Sequence, residues 1–135
     1  MTEGHNRSGP YPYYLDPHYA ALYGRMIAEF GRHVRSLPPR LTDRLVCVLV
    51  MTGSTQDEAP YKGTPVPTQY AISKEEWLKF RLDAFARHNA AFQQGPGPVV
   101  PLLFNGLIPW SDFQEGPKAH DWVKANVQGP WGQKE

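Results

Sequence analysis

Apolar positions return at three- and four-residue steps through Tyr19, Leu22, Met26, Phe30, Val34 and Leu37, the spacing that gathers side chains on one face of a helix. Asp16 stands where an N-cap belongs, Pro17 occupies the first helical position, and Pro38-Pro39 forbids continuation. A helix is predicted from about Pro17 to Ser36. Beside the apolar stripe run Ala20, Gly24, Ala28 and Gly31, small residues that let another backbone come close, although each glycine weakens a helix by about 1 kcal/mol relative to alanine. A tightly packed neighbour is expected there. Arg25, Glu29, Arg32, His33 and Arg35 take the water side, where the Arg25/Glu29 and Glu29/His33 spacings allow surface pairs.

The pattern then changes period. Residues 44–51, Arg-Leu-Val-Cys-Val-Leu-Val-Met, form a continuous apolar run closed by Thr52-Gly53-Ser54, which reads as a strand buried on both faces. Residues 54–67 form a loop of the length at which loops usually carry function or disorder, and Thr68 to Ile72 is expected as a short second strand. A second long helix opens on a capping box, Ser73 with Glu76 three residues on, flanked by Ile72 and Trp77 at the hydrophobic-staple positions. Its apolar face comprises Trp77, Leu78, Leu82, Phe85 and Phe92, with Phe80, Ala84 and Ala91 alongside, and Gly95-Pro96 stops it. Lys74, Lys79, Asp83 and Arg87 are assigned to water.

From Pro98 to Trp110 an Asn-Gly pair separates two apolar runs, a hairpin signal, but Pro98, Pro101 and Pro109 cannot donate to a ladder. The stretch is expected as an edge hairpin or as an extended apolar loop that some surface must cover. A short helix from Pro117 to about Val127 ends at Gly129. The expected fold is therefore α+β: a small single domain with two long amphipathic helices, a short C-terminal helix and a small mixed or antiparallel sheet. Residues 1–16 read as an extended Pro/Tyr-rich N-terminal arm, 17–128 as the globular domain, and 129–135 as a C-terminal tail.

Composition alters this picture at two points. Of 135 residues, 14 are proline and 13% are aromatic, against an average proline share of about 5%. Aromatics this abundant argue that the prolines shape ordered extended segments instead of disordered ones. Tyr11, Tyr13 and Tyr14 in the arm, Phe104, Leu107 and Trp110 in the apolar stretch, and Trp131 in the tail are therefore the candidate partner-binding residues, because aromatic side chains dominate protein contacts. The second point is charge: a formal net charge of +1 supplies no global field for nucleic acid or an anionic membrane. Arg25, Arg32, Arg35 and Arg40 make only a weak local basic surface.

Other chemistries are poorly served. One cysteine, Cys47, excludes an internal disulfide framework and thiolate-rich metal sites and fits a cytoplasmic or otherwise reducing compartment; mid-strand among valines, it reads as an inert core thiol. No apolar run reaches a bilayer span, and Met1 to Pro10 lacks the apolar stretch of a signal peptide. No two histidines share the spacing of a helical metal pair, and no glycine-rich phosphate loop is present, so no cofactor is expected. The leading reading is a non-catalytic structural or interaction protein, an accessory subunit of a larger assembly such as a viral particle or multi-subunit complex, whose partner is another protein or a second copy. One alternative is an inhibitor or immunity-type protein that inserts the 54–67 loop. The other is a small hydrolase-like enzyme combining Ser54, Thr55, Asp57 or Glu58 with His33, His88 or His120.

Overall fold

Helix α1 (Pro17–Arg35) begins as its sequence requires: the Asp16 Oδ1 accepts from the backbone N–H of His18 at 2.7 Å and of Tyr19 at 3.1 Å. The computed structural model describes residues 2–3, 12–52, 59–60, 64–65, 68–107 and 115–134. Beyond α1 lie a single-turn helix α2 (Pro39–Thr42), strand β2 (Val48–Val50), a 3-10 turn at Thr68–Tyr70, α3 (Lys74–Gln93), β4 (Leu102–Phe104), α4 (Gly116–Asn126) and β5 (Trp131–Gln133). Two further two-residue strands, β1 (Thr2–Glu3) and β3 (Thr64–Pro65), pair antiparallel. The fold is a small α+β domain.

Its main sheet has the order β2-β4-β5, and both pairings are parallel, Val48 opposite Leu102 and Leu102 opposite Trp131. The mixed or antiparallel sheet expected from the sequence is therefore corrected to a parallel one. The reason is connectivity: α3 lies between β2 and β4, and α4 between β4 and β5, so each strand is re-entered in the same direction. The Asn105-Gly106 pair makes no hairpin. Gly106, at φ 66°, turns the chain away from the end of β4, which becomes the central strand. Prolines are accommodated by standing just before strands, where they contribute carbonyls only: Pro101 accepts from the Val48 N–H at 2.9 Å and Pro130 from the Leu102 N–H at 3.1 Å. Residues 131–133, expected in a tail, form the second edge strand. Thr68–Tyr70 is a 3-10 turn and not the expected strand.

Val48, Val50, Leu102 and Phe104 point to one side of the sheet and join a single core with Ile27 and Val34 of α1, Phe85 and Phe92 of α3, and Ala119 and Val123 of α4. A second cluster forms at the start of α3. Its capping box is complete, Ser73 Oγ accepting from the Glu76 N–H and Glu76 Oε2 from the Ser73 N–H. Ile72 and Trp77 then pack with Tyr14 and Phe80.

The two long helices run side by side in the same direction, and α1 is rotated relative to its expected face. Its buried residues are Ile27, Gly31 and Val34. The small-residue strip allows the close approach: a Cβ at Gly31 would stand 2.6 Å from the Ala91 carbonyl oxygen and 2.7 Å from the Ala91 Cβ. At Gly24 the same addition would meet only the end of the Arg87 side chain. Arg35, expected on the water side, crosses instead to the end of α3. Its guanidinium donates to the carbonyls of Ala91, Gln94, Gly95, Pro96, Gly97 and Pro98 at 2.5–3.3 Å. The last turn of α3 has no basic residue of its own, so Arg35 supplies the positive charge that the C-terminal end of the helix dipole favours.

Two substitution sets test this packing. Gly31→Ala should destabilise by about 1–2 kcal/mol in urea unfolding, because backbone overlap outweighs the gain of about 1 kcal/mol in helix propensity, whereas Gly24→Ala displaces a flexible tip and should change stability little. Arg35→Lys should cost about 2 kcal/mol, since an ammonium cannot reach so many carbonyls; a melting temperature equal to wild type would show that the cap contributes nothing.

Candidate interaction surfaces

Of the seven side chains expected to grip a partner, the structure turns three inward. Tyr14, Phe104 and Leu107 are buried, which corrects their assignment. Tyr14 lies 5.3 Å from Trp77 and 5.4 Å from both Tyr19 and Phe80, ring centroid to centroid, so the end of the arm folds back onto its own domain. Phe104 packs edge-on against Phe85 at 4.9 Å. Tyr13 is half-buried against Tyr70 at 5.4 Å, and Trp131 against Phe104 and His120. Tyr11 and Trp110 lie outside the described residues.

The exposed apolar surface is elsewhere. Leu22, Met26 and Phe30 fall at four-residue steps on α1 and remain 43%, 58% and 49% exposed. They belong to the stripe that the periodicity assigned to the core. Because the glycine strip draws α1 against α3, this edge of the stripe turns outward. Val46 and Met51, also exposed, flank β2, an outer strand of the sheet, and the Tyr23 hydroxyl reaches the Met51 carbonyl at 3.4 Å. From Leu45 to Thr52 this outer strand and its flanks carry no charge and no proline, the devices that usually blunt a sheet edge. The β5 edge, by contrast, is bracketed by Pro130 and Lys134.

On the other side of α1 a crevice of about 610 Å³ separates it from α3. Gly24, Ala28, Ala90 and Ala91 line its apolar part, and Arg32, Arg35 and Arg87 its polar part. Arg32 forms a two-point pair with Glu29 at 2.5 Å, and the Arg87 Nε donates to Asp83 at 2.6 Å. The Arg32 guanidinium holds the Glu29 carboxyl below the usual carboxylate range. Sequence spacing offered Arg25 and His33 as partners of Glu29; the pair formed is Glu29–Arg32. Arg40 is exposed on α2 and does not line the crevice.

Polar groups within the core serve packing. Arg81 is 0% exposed; its Nη2 donates to the Asn105 and Gly106 carbonyls at 3.0 and 2.9 Å, and its guanidinium lies 5.3 Å from the Phe85 ring centre. It ties α3 to the turn after β4. Sequence reasoning missed it because a lone arginine on a helix is ordinarily solvated; apolar residues surrounding most of α3 were the available signal. His88 is buried between Tyr23 and Phe92, and its Nδ1 lies 2.8 Å from the Ala84 carbonyl, the geometry of a neutral ring donating from Nδ1. Desolvation pushes its pKa below the usual histidine value, opposed in part by that hydrogen bond.

His33 is exposed and His120 faces Trp131, while Ser54, Thr55, Asp57 and Glu58 lie outside the described residues. Among the described residues no group of histidine, cysteine and carboxylate side chains is arranged to hold a metal ion, and no helix is long and apolar enough to cross a membrane. Cys47 is half-buried next to the outer strand. Comparison with protein-family models, curated proteins and solved structures gives no match.

The His88 environment predicts an acid-sensitive fold. Unfolded, the imidazole takes up a proton near pH 6.5; folded, it does so only at lower pH. Between those two values the unfolded state holds more protons, so stability falls as pH falls below about 6.5 and levels off once the folded ring is also protonated. The loss in melting temperature between pH 7.5 and 5.5 should be smaller in His88→Phe than in wild type. Equal losses would place the acid sensitivity elsewhere.

Proposed function

We propose that the chain is a non-catalytic interaction protein, an accessory subunit that docks onto another protein through the outer face of α1. The observation that carries this reading is the exposure of Leu22, Met26 and Phe30 in a row on one helix. Large apolar side chains aligned in this way lose water favourably against a partner, at roughly 25 cal/mol per Å² of apolar area. The uncharged β2 edge adds backbone donors and acceptors that a docked extended segment would satisfy. Leu22, Met26 and Phe30 thus take over the role that the sequence reading gave to Tyr14, Phe104 and Leu107.

The double variant Leu22→Ser/Met26→Ser should fold with a melting temperature within a few degrees of wild type, because about half of each residue is already in water. In affinity capture from the native source, proteins retained by wild type and by an Ala125→Ser control, at an exposed position on α4, should be lost from the double variant, with light scattering reporting any self-association. Identical recovery by all three proteins would remove α1 from the interface.

A further inference from the structure

The crevice between α1 and α3 is separate from the apolar ridge, and its chemistry differs. The lining residues Arg32, Arg35 and Arg87, with Arg25 acting on Glu29 from outside the crevice, stand against the carboxylates of Glu29 and Asp83, an excess of positive charge on this face. The excess has a local origin: the charge of Arg35 is engaged by neutral carbonyls, so it is held rigidly in place without being neutralised. Arg87 adds to it from α3, its guanidinium lying over Gly24 while its Nε donates to Asp83. The apolar part is made of glycine and alanine, which leaves room for side chains brought by a ligand.

Size then selects the class of ligand. Lining residues on α1 extend from Gly24 to Ser36, about 18 Å of helix at 1.5 Å per residue. A single carboxylate or phosphate would leave most of that length empty; about five or six residues of extended chain, at roughly 3.3 Å each, would fill it. We infer that the α1–α3 crevice binds an extended acidic peptide segment, its carboxylates directed to Arg87 and Arg32, with the held charge of Arg35 adding to the local field, and its apolar side chains seated over Ala28 and Ala90.

Fluorescence anisotropy of the full chain with a labelled hexapeptide alternating aspartate and leucine tests the assignment. The probe should bind saturably, weaken between low and physiological salt as screening grows, and exceed a lysine–leucine counterpart by at least tenfold. Ala28→Trp and Ala90→Trp, both at exposed helix positions and both filling the crevice without altering charge, should each weaken binding at least tenfold. Arg32→Gln should weaken it several-fold, and Glu29→Gln, which removes a competing carboxylate, should strengthen it. Met26→Ser, on the opposite side of α1, should leave it unchanged, which separates this site from the docking ridge. The inference fails if the acidic probe does not saturate, if both tryptophan variants bind as wild type does, or if a short oligothymidylate binds more tightly than the peptide.

Discussion

Much of this molecule depends on how closely α1 lies against α3, and that distance is set where Gly31 meets the Ala91 backbone. A side chain there would force the helices apart. Arg35 locks the same junction four residues on, gathering the carbonyls at the end of α3 and the loop that follows it. That loop leads directly into β4, the central strand. A single guanidinium thereby ends one helix, fixes its neighbour and aims the chain into the sheet, and it does so at the negative end of a helix dipole where a cation is favoured.

The close approach also decides what the surface offers. Drawing α1 toward α3 by its glycine side moves Ile27 and Val34 into the core and turns Leu22, Met26 and Phe30 out. The opposite flank opens as a crevice bordered by arginines. Two surfaces of different chemistry, one apolar and one cationic, thus arise from one helix orientation. The aromatic residues near the N-terminal arm act otherwise: Tyr14 closes over Trp77 and Phe80 and secures the start of α3, as Arg35 secures its end.

Features governed by neighbouring residues could be read directly. The Asp16 cap, Pro17 in the first turn and the Ser73/Glu76 capping box appear where the local pattern placed them, because each depends on hydrogen bonds spanning a few residues. Less was legible in the candidate surfaces. The apolar stripe on α1 was visible, but periodicity finds a face without saying how much of it another element will cover. Phe104 and Leu107 looked like contact residues because a proline-broken apolar run has no obvious partner in sequence; its partners are β2 and β5, many residues away on either side. Arg81 and His88 were ordinary polar letters on a helix until neighbours on several sides buried them.

The chain's own order of residues settled where the three longer helices start and stop, that a small α+β domain forms, and that Val48 and Val50 belong to its core, since capping, proline geometry and side-chain burial act over short range. It did not show the short helix α2, and the strand expected to be buried on both faces is an outer strand with Val46 and Met51 exposed. Tertiary structure alone decided that the strands run parallel, that residues 131–133 complete the sheet, that Arg35 leaves the water side to cap a different helix, and which edge of α1 meets solvent. Each of these depends on contacts between residues distant in sequence, and the choice among possible contacts is made by packing in three dimensions, which no local pattern records.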